Sequence, residues 1–175
     1  MASQSSNLIT NLDSVPSVMN DVGKSGGRVR IQTDNFEINT ATLTTAGDIA
    51  RLCRIPTNAR ILSFVVWNDA LDAADELVCD LGVYLTNSDT AISADATACI
   101  VDGTTVLQAA VVGAGTEFMG TVAADLLNIG KPIWEQAGYS SDPGGLFDIC
   151  LTISTDCETD VAGATFAFRC MYTVD

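Results

Sequence analysis

The chain has 175 residues, a net charge of −14 and no histidine. Without histidine, Ser-His and Cys-His nucleophile pairs and every His-containing zinc site are excluded. Charged residues make up 17% and hydrophobic residues 47%; a soluble domain usually carries about 25% charge, so part of this surface is expected to be buried against partners.

Residues 1–27 are polar and weakly patterned, and end in Gly23-Lys24-Ser25-Gly26-Gly27. They read as an extended N-terminal arm and hinge, leaving residues 28–175 as one domain. Val15, Pro16, Val18 and Met19 form an apolar island in the arm, read either as a docking contact or as part of a solvated tail. Gly-Lys-Ser does not make a phosphate loop: Val18 stands where that motif needs its first glycine.

From Arg28 apolar and polar residues alternate, the period of half-buried strands. Val29 and Ile31 share one face, and Phe36, Ile38, Thr40 and Thr42 share a face after the turn-like Thr33-Asp34-Asn35. Ile49 to Ile55 is a strand stopped by Pro56. Arg60 to Trp67 is the most apolar run and is expected to be central. Asn68 to Glu76 reads as an acidic loop, and Leu77 to Leu85 alternates cleanly. Residues 91–112 are ambiguous, with strands expected near Ala98–Val101 and Thr105–Leu107, and Gly113-Ala114-Gly115 reads as a break. A short helix fits around Ala123–Leu127, and Pro132 to Gly138 is a helical turn or a strand. Asp142-Pro143-Gly144-Gly145 is a turn. Leu146–Thr155 and Thr165–Val174 close the chain, the latter with Phe166, Phe168, Cys170, Tyr172 and Val174 on one face. About eight short strands separated by turns predict an all-β fold: an antiparallel β-sandwich, in jelly-roll form.

Six of the eight basic residues (Lys24, Arg28, Arg30, Arg51, Arg54 and Arg60) lie in residues 1–60. The remaining body is acidic and repels phosphate, so no nucleic-acid partner is expected. The basic stretch suits an acidic neighbour, such as the body of another copy, or is a solvated edge strand. No run reaches the roughly 18 apolar residues that span a membrane, so no membrane partner is expected. The N-terminus lacks the cationic and apolar regions of a signal peptide, and synthesis in a cytoplasm is expected.

The six cysteines (Cys53, Cys79, Cys99, Cys150, Cys157 and Cys170) sit mostly in apolar runs with no Cys-x-x-Cys pair, and read as small buried hydrophobes rather than as disulfides or metal ligands. Asp69, Asp72 and Asp75, and again Asp156, Glu158 and Asp160, form acidic loop clusters in which calcium weighs against plain solvation. Trp67 and Trp134 read as core or interface anchors rather than sugar platforms. No nucleophile has an activating partner, so no enzyme, cofactor or metal is expected.

Two stretches carry a resemblance. One is Ala50-Arg51-Leu52-Cys53-Arg54-Ile55-Pro56-Thr57-Asn58-Ala59-Arg60-Ile61-Leu62. The other is Lys131-Pro132-Ile133-Trp134-Glu135-Gln136-Ala137-Gly138-Tyr139 followed by Asp142-Pro143-Gly144-Gly145-Leu146-Phe147-Asp148-Ile149. With Leu81-Gly82-Val83 and the Ala162-Gly163-Ala164-Thr165 turn, the combination resembles small structural proteins of tailed-bacteriophage virions, of the capsid decoration or cement type, over residues 48–174. The resemblance implies a β-sandwich on the capsid surface, often a homotrimer, that clamps adjacent major capsid protein subunits. Its partners would be the major capsid protein and further copies of this chain. The expected contacts are Val15, Pro16, Val18, Met19, Arg28, Arg30 and Trp134. A tail, neck or head-fibre protein and a calcium-dependent lectin-like module are the alternatives.

Overall fold

A computed structural model describes residues 14–16, 18, 28–38, 43–86, 88, 92–93, 95–119 and 126–174. Among them the alternating runs form β1 (Val29–Glu37), β2 (Ile49–Pro56), β3 (Ala59–Asn68), β4 (Val78–Leu85), β5 (Val101–Thr104), β6 (Val111–Glu117), β7 (Leu146–Thr155) and β8 (Thr165–Val174). Two four-stranded sheets result, in the orders β1-β8-β3-β6 and β2-β7-β4-β5. The first strand pairs with the last, β2 with β7, β3 with β6 and β4 with β5, all antiparallel. This nested pairing is a long hairpin ribbon rolled over on itself, the scheme of a jelly roll.

Period-2 alternation puts one face of each sheet into a shared core. Phe166, Phe168, Cys170 and Tyr172 of β8 point inward and are buried, as are Phe147, Ile149, Leu151 and Ile153 of β7 in the facing sheet. Aromatic pairs knit the layer: Phe64 stacks on Phe168 with centroids 5.8 Å apart, and Phe36 tilts against Phe166 at 5.6 Å. The Arg60–Trp67 run is central as expected, with β3 lying between β8 and β6.

Three local expectations change, and one open alternative is settled. Residues 29–37 form one uninterrupted strand, with no turn at Thr33-Asp34-Asn35; Thr40 and Thr42 lie outside the described residues. Thr105–Leu107 is not a strand, because Val106–Gln108 folds as a single 3₁₀ turn. The glycine-rich segment read as a break lies inside β6. Pro132 to Gly138 resolves as a helical turn, Ile133–Gln136, and a further turn forms at Leu126–Ile129.

The outer faces of the two sheets differ. On β2-β7-β4-β5 the outward residues Tyr84, Asp148 and Cys150 are buried, because residues 95–100 cross that face. The crossing is close: a Cβ on Gly82 would sit 2.2 Å from the Ala96 carbonyl oxygen. Glycine there is required by space rather than by backbone angle. On the outer face of β1-β8-β3-β6, Val65 and Thr173 are buried as well, while Val29 and Ile31 at its β1 edge are exposed.

Candidate partner interface

β1 and β2 are the edge strands on one side of the sandwich, one from each sheet. Gln32 joins them, its Nε2 donating to the Arg54 carbonyl oxygen (2.8 Å) and to the Tyr172 hydroxyl (3.1 Å). Arg28, Arg30, Arg51 and Arg54 therefore gather on this side. Arg54 is clasped by Asp148, its Nε and Nη2 donating to the two carboxylate oxygens at 2.5 and 2.9 Å. Such a bidentate clasp fixes orientation as well as neutralising charge.

The edges are built differently. β2 has a register shift between Arg51 and Cys53 and ends on Pro56, both devices that block pairing with another chain. β1 runs nine residues in unbroken register on β8. Its outward face shows large apolar side chains, with Val29 47% and Ile31 59% exposed.

Further along the same open sheet stands Trp67. The Arg169 guanidinium lies over its ring at 5.6 Å, and its Nε1 donates to the Gly113 carbonyl oxygen at 3.0 Å. Gly115, at φ +79°, is what lets the indole lie along β6: a Cβ there would come within 2.7 Å of Trp67 Cε2. An open cleft of about 390 Å³ beside the ring is lined by Thr33, Asp34, Asn35, Trp67, Ala167, Phe168 and Arg169. Arginine and tryptophan together are the residue types that most often anchor protein interfaces.

The acidic loops do a structural job. Asp72 is buried, and its carboxylate accepts from the amides of Ala74 (2.9 Å), Glu76 (2.8 Å) and Leu77 (2.7 Å). Burial acts to raise its pKa, but these amides and that of Thr159 outweigh burial and hold it below the usual aspartate value. Asp48 accepts from Thr44 and Thr45, Asp69 from Thr165, and Asp156 from Ala46. A bridge between Asp72 and Asp160 brings the two acidic loops side by side. Among the described residues no three acidic or cysteine side chains converge as a metal site would require. Asp48 and Asp72 are turn-capping acceptors, and Asp69 and Asp156 tie distant loops together.

None of the six cysteines is joined in a disulfide, and Cys79, Cys150 and Cys170 are buried. Burial pushes Cys79 and Cys99 up to about 12. Burial and the neighbouring Asp72 push Cys157 up to about 11. Thiols held this far from the thiolate are inert near neutral pH.

The residues singled out as partner contacts are placed as follows. Val15, Pro16 and Val18 are exposed; Met19 lies outside the described residues. Arg28 and Arg30 are exposed at the start of β1. Trp134 is half-buried against the core, and its amide donates to the Thr57 carbonyl oxygen at 3.1 Å. It thus lies beside the end of β2, the strand that carries Arg51 and Arg54. Sequence reasoning missed the exposure of Val29 and Ile31. It also missed the pairing of Trp67 with Arg169, which lie far apart in the chain and meet only through the β3·β8 register.

No protein-family model and no curated protein matches the chain. Its fold is shared with solved phage structures. A chain of the cyanophage Pam1 capsid asymmetric unit superposes with a TM-score of 0.56 at 15% identity, over 93% of this chain and 97% of that one. A chain of the capsid of Ralstonia phage GP4 superposes with a TM-score of 0.55 at 20% identity, over 83% and 85%. The near-complete coverage means that the likeness extends over the whole rolled sandwich, and the fold is one that phage capsids contain.

Proposed function

We propose that this chain is a structural protein of a phage virion that decorates the capsid surface and cements it by binding across major capsid protein subunits. The observation that carries the reading is the fold, shared almost end to end with a chain of the Pam1 capsid. Three features of the molecule support it. The sandwich is rolled, with a core continuous between its sheets. One sheet keeps an open edge. The apolar residues Val15 and Val18 of the N-terminal arm are exposed, as a segment reaching for a neighbour would be.

The physics of cementing is additive. Each copy that binds the assembled shell but not free subunits stabilises the shell by mass action, and many weak seams sum to a large effect. An arm can reach a second subunit, and its ordering cost is offset only when that surface is present. The role is structural rather than catalytic, and a homo-oligomer, a trimer by resemblance, would place several arms around one symmetry position.

The test is the heat stability of phage heads that lack the protein, before and after the purified full chain is added back. The reading expects genome release at a lower temperature without it, and restoration on addition. Chain lacking residues 1–27 should restore less. Heads with the same release temperature with and without the protein would overturn the cementing role.

A further inference from the structure

We infer that β1 is an association edge that takes β1 of a second copy, antiparallel, about a two-fold axis through Gln32. The contact is between copies of this chain and is independent of the capsid reading.

A sheet edge offers unpaired amides and carbonyls to any passing strand, and folded proteins defend such edges. Three of the four edge strands here are defended. β5 has only four residues. β6 carries two positive-φ glycines and a register shift between Val66 and Asn68 on its partner. β2 has its bulge and Pro56. β1 has nine residues, no proline, no glycine and no bulge, and no second partner strand among the described residues.

The sequence of β1 then selects the occupant. Its first half is basic, with Arg28 leading in and Arg30 inside, and its second half is acidic, with Asp34 and Glu37. Arg30, Asp34 and Phe36 pair in register with Tyr172, Phe168 and Phe166 of β8, so all three lie on the same side of the strand. Laid antiparallel on itself with Gln32 facing Gln32, the strand sets Arg30 of each copy directly opposite Asp34 of the other. Arg28 falls opposite Phe36 and diagonal to Asp34. Opposite charges directly across a strand pair are favourable, and like charges are not. On the other face Ile31 meets Thr33, and the two Ile31 side chains lie diagonally across the axis, covering an apolar surface that is 59% exposed in the single chain. Slipping the register by two residues in either direction separates Arg30 from Asp34 and breaks this match. A two-fold interface must be self-complementary, and β1 is charge-palindromic in that sense. The product is one eight-stranded sheet running through two sandwiches.

Sedimentation equilibrium of the full chain tests this with charge reversal. Wild type should form a dimer through β1, or a hexamer where trimers also form through another surface. Arg30→Glu and Asp34→Arg should each weaken association about tenfold or more, by setting like charges opposite each other. The double variant, with the charges exchanged, should recover it. Both positions are exposed, and circular dichroism should show the fold unchanged. A second measurement does not depend on those variants. Gln32→Cys puts one thiol of each copy on the axis, where directly opposed Cα atoms are within disulfide reach. Oxidation by copper(II)-phenanthroline takes two electrons and two protons from the thiol pair to form the S–S bond. A species of doubled mass on a non-reducing gel, absent from wild type treated alike, is the expected result. The inference is overturned by a monomeric wild type, by association that ignores both single reversals, or by a Gln32→Cys chain that does not cross-link.

Discussion

The two sheets of this sandwich are built to opposite ends. β2-β7-β4-β5 is closed: residues 95–100 lie across its outer face, Gly82 lets them approach, and Arg54 clasps Asp148 at its edge. β1-β8-β3-β6 is open: its edge strand shows Val29 and Ile31 to solvent, and its face carries Trp67 with Arg169 above it. Both sheets contribute to the core, and the difference lies outside it. One wall is covered by its own chain, and the other is where the proposed partner contacts lie.

The contrast can be broken most sharply at Gly82. In Gly82→Ala the new methyl meets the backbone of Ala96 and Thr97, which can only move away and uncover Tyr84, Asp148 and Cys150. A loss of about 3 kcal/mol is expected in chemical denaturation.

Asp72→Ala should cost about 2 kcal/mol, since it strands the buried amides that cap the acidic loop. Its pH signature has a definite sign. The Asp72 carboxyl is held below its ordinary value in the folded chain, so its contribution is present above about pH 4 and is lost as pH falls through the lowered folded value. Wild type should lose stability over that acid range, and Asp72→Ala should lose less of it.

The open sheet predicts the opposite pattern. Ile31→Thr should change unfolding free energy by no more than about 0.5 kcal/mol, while weakening self-association. A large stability loss at Ile31 would mean that the open wall is part of the core after all. Salt gives the smallest effect: association through Arg30 and Asp34 should weaken between low and high ionic strength.

How much of this was legible in the sequence follows from the same contrast. Where a strand has one dry face and one wet face, alternation reads cleanly, as in Leu77–Leu85 and in Thr165–Val174. At the β1 edge the outer face meets solvent, so Thr33-Asp34-Asn35 reads as a turn, and the face shared by Val29 and Ile31 carries no sign of whether it is wet or dry. Gly113 and Gly115 read as a break because glycine disfavours strands; the tertiary reason for Gly115, an indole lying against it, is invisible until β3 and β6 are paired. The acidic clusters read equally as calcium ligands or as solvated loops. Asp69, Asp72 and Asp156 take backbone amides as partners, and amides leave no trace in a sequence. Arg28 and Arg30 were found from charge alone, whereas the Asp34 that would complement them was hidden inside the supposed turn.

The most direct test of the central claim is the amount of this protein relative to the major capsid protein in purified particles, by quantitative mass spectrometry. A cement predicts a stoichiometric proportion, one copy per capsid subunit or a simple fraction of it. A handful of copies per particle would move the protein to the tail, neck or fibre, and its absence from particles would contradict the account.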